Sequence, residues 1–201
     1  MPDIVVLLAH PQQEHSRINR ALLQAVRQAA HPRVEVRDLY ALYPDYLIDV
    51  AAEQAALTQA QLVVWQHPIH WYGMPPLMKL WLDEVFAFGW AYGPEGTRLR
   101  GKDLWLVAST GGPQDSYRPD SYNRYFFDAF MPPYEQTAAL AGMRFLDPLV
   151  LHGAHRAPPA ELQAHVDMFV QRLAAYPDWP EIAELEPTPS CDVPASARPE
   201  S

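Results

Sequence analysis

Three short stretches gather residues that can do chemistry, and each follows an apolar run. The first is HPQQEHSRIN, residues 10–19, where Ser16 suits the cap of a following helix. Unpaired N–H groups and the dipole at a helix start favour an anion, so this loop reads as a phosphate cradle. The same residue types also make an ordinary strand-to-helix connection, and that alternative stays open. The second stretch is HPIHWYG, residues 67–73, where Trp71 and Tyr72 fall in a loop at a strand end. An aromatic wall there can stack on a planar ligand, or it can pack beneath the next helix. The third is Ser109-Thr110-Gly111-Gly112, hydroxyls followed by two glycines. Such a loop lets backbone N–H groups approach a ligand closely, although the same tetrapeptide also makes a plain turn. Neither G-x-G-x-x-G nor G-x-x-x-x-G-K-[ST] appears in the phosphate-cradle stretch.

Other chemistries are excluded by what is missing. The single cysteine, Cys191, lies in a Pro-rich tail, which leaves no disulfide framework, cysteine metal site or thiol nucleophile in the fold. His67 and His70 are three apart with no helix beneath them and no third ligand nearby, so no metal site is expected. His152 and His155, in LHGAHR, are read as solvated loop residues, the alternative being contact with substrate or with a second subunit's ligand. With 15 Lys plus Arg against 24 Asp plus Glu, the net charge of −9 excludes a nucleic-acid partner, which demands a basic face. No signal-type segment and no long apolar run is present, so a soluble, cytoplasmic protein is expected.

Five strands alternating with helices must position these stretches. Residues 4–9 are six consecutive apolar residues, three of them β-branched, which suits a central strand covered on both faces. Ile18, Leu22, Leu23 and Val26 then recur at helical spacing. Residues 33–39 alternate and make a second strand nearer an edge; a Tyr-Pro-rich loop leads to a helix over 50–59 capped by Asp49. Residues 62–66 form the third strand, followed by a helix entered through Pro75 and Pro76, with Leu77, Leu80, Trp81, Val85 and Phe88 at helical spacing. Strand four covers 103–108, a helix from Pro132-Pro133 reaches Ala141, strand five covers 144–151, and the last helix covers 159–175. The alternation indicates a parallel doubly wound α/β sheet, in which an order 2-1-3-4-5 sets the loops after strands one, three and four around one crevice. One domain is expected over 1–176, and a Pro-rich acidic tail over 177–201 is expected to be disordered or loosely docked.

The blocks AHPQQEHSRINRALL, HPIHWYGMPPLMKLWLDEVFAFGWAYG and STGGPQDSYRPDSYNR, in this order and spacing over residues 4–173, resemble the flavodoxin-like NAD(P)H:quinone oxidoreductases. The likeness is greatest to the ancillary flavoproteins of glutathione-regulated potassium-efflux systems. The resemblance implies a flavodoxin-like fold binding FMN, with FAD the alternative, and NAD(P)H as electron donor. Carried over by position, His10, Ser16, Arg17, Ile18 and Asn19 hold the phosphate, and Pro68, Ile69, His70, Trp71 and Tyr72 line the isoalloxazine. Ser109, Thr110, Gly111 and Gly112 meet its pyrimidine side, with Tyr117 beside them. In DT-diaphorase-like members a Tyr and a His of the loop after strand four assist hydride transfer; Tyr117 matches the Tyr, and Asn123 stands where the His is expected. His70 replaces a common Gln, and Ser109 a common Thr.

The implied activity is a two-electron, ping-pong reduction of a quinone by NAD(P)H. The family is typically homodimeric, and the aromatic helix over residues 76–90 is the expected subunit surface. The resemblance also allows peripheral contact with a membrane potassium-efflux antiporter at the inner face of the cell membrane. A purely regulatory subunit of that system and a flavodoxin-like electron carrier are the alternatives.

Overall fold

A computed structural model describes residues 2–185. Five parallel strands pair in the order β2-β1-β3-β4-β5: β1 Ile4–Leu8, β2 Val34–Asp38, β3 Leu62–Pro68, β4 Asp103–Ser109 and β5 Arg144–Leu151. The expected flavodoxin-like, doubly wound sheet is what the chain forms. The three central strands are buried throughout, which is why their sequences are apolar runs rather than alternations. Their alternate residues face two separate cores. Val5, Leu7, Val63, Trp65, Leu104 and Leu106 face one side, while Ile4, Val6, Leu62, Val64, Trp105 and Val107 face the other.

Helices α1 (Arg17–Ala29) and α6 (Pro159–Ala175) cover the second face. Helices α3 (Val50–Gln59), α4 (Pro76–Val85) and α5 (Pro132–Leu140) cover the first, together with a single turn, α2 (Leu39–Leu42). Ser16, Asp38 and Asp49 cap α1, α2 and α3 by accepting backbone N–H groups at the helix starts, as short polar side chains do. Proline occupies the first turn of α4, α5 and α6, where its missing donor costs nothing.

Several expectations are corrected. Strands β3 and β4 run to Pro68 and Ser109, beyond the ends expected from the apolar runs, because their last polar residues keep pairing. Helix α4 stops at Val85, and Trp81 and Phe86 are buried in the protein's own core rather than forming an exposed aromatic face for a second subunit. Its stripe turns inward because α4 also covers a buried carboxylate. Glu53 is wholly buried and accepts from Arg37, the Tyr43 hydroxyl and Trp81 Nε1, joining β2, α3 and α4. The expected change of character at Pro177 does not hold for the residues described there. Trp179 is 4% exposed, lies 4.9 Å from the Trp105 ring and donates from Nε1 to the Arg172 carbonyl, and Ile182 and Leu185 pack on the same core. The remainder of the tail expectation, residues 186–201 with Cys191, lies outside the described residues.

Candidate active site

The carboxyl ends of β1, β3 and β4 face the start of α1, and one buried side chain ties them together. Asn19, 1% exposed, donates from Nδ2 to Ser16 Oγ and Ser109 Oγ, and its backbone and side-chain oxygens stand 3.4 Å from Gln66 Nε2. Asn19 therefore braces the crevice rather than presenting its amide to a ligand. Ser16 Oγ also accepts the Asn19 N–H, which leaves the amides of Arg17 and Ile18 as the first-turn donors for an anion. The Arg17 guanidinium turns away and donates to the carbonyls of His155 and Ala157. Gln13 has both amide atoms buried without a protein partner beside this turn, as a cradle for a polar group requires. Of the residues expected at a phosphate, Ser16 caps α1 with its side chain, and Arg17 and Ile18 offer backbone N–H groups at this turn.

His10 opens the same loop. Its Nδ1 accepts the Gln12 N–H at 3.0 Å, which fixes the neutral tautomer with the proton on Nε2. Burial, reinforced by His70 nearby, lowers its pKa to about 4.

The loop after β3 holds two consecutive residues in the left-handed region, Trp71 at φ 48° and Tyr72 at φ 66°. Such backbone costs about 1–2 kcal/mol per non-glycine residue and persists where the surroundings enforce it, characteristically at binding sites. Ile69 N–H bonded to the Ser109 carbonyl anchors one end of the loop, and the His70–Gly73 pair closes it. Trp71 is 93% exposed, so packing beneath a helix is not its role. Tyr72 stacks on Phe130 at 4.9 Å and donates to Asn123 Oδ1. Below the loop His67 is fully buried, donates from Nδ1 to the Pro68 carbonyl, and has its pKa lowered to about 4 by burial.

The loop after β4 supplies the opposite wall. Thr110 donates to the Gly112 carbonyl and accepts from His152 Nδ1 at 3.0 Å, while Gly153 N–H bonds the Gly112 carbonyl. At Gly112 a Cβ would stand 2.7 Å from Ser116 Oγ and 3.0 Å from the Tyr122 hydroxyl, so a larger residue there must displace the Ser116 side chain. Tyr117 is 7% exposed, burial raises its pKa, and its ring lies 5.3 Å from that of His152. Two expectations change here. Asn123, expected as a catalytic residue, spends its amide on Ser116 Oγ and the Tyr72 hydroxyl and so braces the aromatic wall. His152, expected in solvent, is wedged between Tyr117 and Phe127 and supplies the imidazole beside the phenol. The His-Gly-Ala-His spacing alone could not reveal it, because β5 must first align with β4.

A half-open pocket of about 480 Å³ adjoins this loop on the β5 side, lined among others by Gly111, Tyr122, His152, His155 and Arg156. No group of three or more His, Cys, Asp or Glu placed to hold a metal occurs among the described residues.

The crevice thus has first-turn amide donors for a phosphate, an aromatic wall for a planar ring, and a glycine turn whose main chain a ring edge can approach. These features fit a flavin mononucleotide.

Over residues 2–175 the chain matches a family model described as a flavodoxin-like fold. It is 44% identical over 173 residues to the glutathione-regulated potassium-efflux system ancillary protein KefF of Citrobacter koseri, covering 86% of this chain and 96% of that protein. The general stress protein 14 of Treponema denticola, solved in complex with FMN, is 37% identical with a TM-score of 0.79, over 87% of this chain and 99% of its own. An NADPH-quinone reductase from P. pentosaceus is 25% identical with a TM-score of 0.76, over 85% of this chain and 96% of its own.

Proposed function

Because the chain belongs to the flavodoxin-like-fold family, we propose that it is an FMN-dependent NAD(P)H:quinone oxidoreductase. The observation that carries the reading is the convergence of three loops on one crevice: the capped start of α1, the strained Trp71–Tyr72 wall and the Gly111–Gly112 turn. The relatives support it, since one is solved with FMN and another is described as an NADPH-quinone reductase.

When bound, FMN supplies the two-electron chemistry, accepting hydride from the nicotinamide and passing it on. The chain's own residues bind and orient. His10 Nε2–H and the Arg17 and Ile18 amides hold the phosphate, balancing its charge by oriented dipoles in a chain of net charge −9. Pro68, Ile69, Trp71 and Tyr72 present one wall to the ring, and Ser109, Thr110, Gly111 and Gly112 the other. Tyr117, its phenol kept neutral by burial, would donate a hydrogen bond to the bound group, with His152 and Thr110 fixing its surroundings. One open face then serves NAD(P)H and the quinone in turn. Initial rates with both substrates varied, in the presence of FMN, give parallel double-reciprocal lines on this reading; intersecting lines or no turnover with either nicotinamide contradict it.

A second reading follows from the KefF likeness. The same protein also serves as an ancillary subunit on the cytoplasmic side of a potassium-efflux antiporter, as a peripheral partner. Among the described residues no helix is long and apolar enough to cross a membrane. Co-purification with an antiporter encoded nearby tests it. A homodimer is part of the same proposal, with the exposed Trp71, Tyr122, Tyr125 and Phe126 around the crevice as its surface.

A further inference from the structure

Two imidazoles from different loops meet in the crevice, His10 from the loop that leads into α1 and His70 from the loop after β3, whose side chain is expected along the ring wall. The His10 and His70 ring centroids are 6.2 Å apart and edge-on, at an interplanar angle of 71°. They are not equivalent. His10 Nδ1 already accepts the Gln12 N–H, so a second proton there would set two donors against each other. The His70 ring has no hydrogen-bond partner among the described residues; only its backbone is engaged, with Gly73. It can take a proton without breaking a bond.

Among the described residues no fixed counter-charge stands against either ring. The first-turn cations of α1 point elsewhere, Arg17 to the carbonyls of His155 and Ala157 and Arg20 to that of Glu14. On β2, Asp38 is spent capping α2; on β3, His67 is held by the Pro68 carbonyl; Glu14 and His15 lie on the exposed turn after His10. Burial and the neighbouring His70 are the main influences on His10, and burial is the influence on His70. Two imidazolium ions at this separation repel, so the pair carries at most one added proton.

We propose that His70 is the proton acceptor of this site: a phosphate dianion enters the cradle together with about one proton taken from solvent onto the free His70 ring nitrogen, while His10 stays neutral and donates through Nε2–H. The inference rests on the flavin reading above. The balance is simple, because one N–H bond forms on His70 and the proton leaves hydronium or a buffer acid. The empty site disfavours the imidazolium and the dianion favours it. Above the second pKa of the phosphate, about 6, affinity therefore rises as pH falls.

Calorimetric titration of FMN into the flavin-free full chain, in phosphate-free buffers of different ionisation enthalpy, counts the protons. Above about pH 7, where the phosphate is already a dianion, the wild type takes up protons as FMN binds, and riboflavin, which lacks the phosphate, brings in none. His70→Gln abolishes the uptake and flattens the pH dependence of the affinity. His10→Gln weakens binding about tenfold at every pH and retains the uptake. A merely structural His70 would change the affinity and leave the proton count alone. FMN binding without proton uptake, or uptake that survives His70→Gln, overturns the inference and leaves the flavin reading standing; absence of any FMN binding overturns both. Should the variant not fold, an imidazole titration of the wild type by NMR decides: FMN must raise the His70 pKa and leave His10 low.

Discussion

The two glycines after β4 make opposite predictions. A Cβ at Gly111 would lie 3.6 Å from His155 Nε2, an ordinary contact. At Gly112 it would lie 2.7 Å from Ser116 Oγ, 3.0 Å from the Tyr122 hydroxyl and 3.2 Å from Asn123 Nδ2. Ser116 cannot simply swing aside, because its hydroxyl donates to the Pro113 carbonyl and accepts from Asn123 Nδ2 at 2.8 Å. Relief requires an opening of about 0.7 Å that breaks the Asn123 bond and frees Tyr72 from the Asn123 amide. Overpacking of this kind costs about 1–3 kcal/mol, and the lost hydrogen bond adds about 1 kcal/mol. Gly112→Ala should therefore lose about 2–4 kcal/mol in urea unfolding and bind FMN about tenfold more weakly, as the Trp71–Tyr72 wall loosens. Gly111→Ala should stay within about 1 kcal/mol of wild type and should weaken FMN binding by no more than about twofold. Equal losses for both variants, or two silent ones, would refute the reasoning, because neither glycine has a left-handed backbone and the contacts of the added Cβ are what differ.

Glu53→Ala strands the partly buried Arg37 guanidinium and the buried Tyr43 and Trp81 donors, so thermal unfolding should show a loss of about 3–5 kcal/mol, whereas an exposed carboxylate would cost almost nothing. Trp179→Ala should cost about 3–5 kcal/mol in the same assay if residues 177–185 belong to the folded unit, and a silent variant would place them outside it. The buried His67 and His165 titrate near 4 in the folded chain against an ordinary 6.5. Between these values the unfolded chain binds more protons, so stability falls as pH drops from 6.5 towards 4 and the dependence fades below that. The slope should be on the order of 1 kcal/mol per pH unit for each histidine; urea midpoints across this range should show it, and His165→Phe should lower the slope by about that one share.

The sheet and the crevice were legible because their signals are local. Unbroken apolar runs mark β1, β3 and β4 as central strands, and the loops that follow them carry Ser16, the Trp71–Tyr72 pair and the double glycine. What escaped depends on distant partners. Glu53 in a short helix reads as a surface charge until Arg37, Tyr43 and Trp81 close around it. Asn123 stands where the family resemblance leads one to expect a catalytic side chain, yet its amide is committed to Ser116 and Tyr72. His152 acquires its place beside Tyr117 only once β5 pairs with β4, and Trp179 finds Trp105 only after α6 has crossed the sheet. Strained backbone at Trp71 and Tyr72 likewise leaves no mark in residue type, since neither is glycine or asparagine.

The central claim is tested most directly by the visible spectrum of the purified protein, followed by anaerobic addition of NAD(P)H and then of a quinone. The account predicts a yellow protein, or one that becomes yellow on taking up FMN, which bleaches with the nicotinamide and regains its colour with the quinone. A colourless protein that takes up neither FMN nor FAD would contradict it and leave the crevice as a flavin-free binding module.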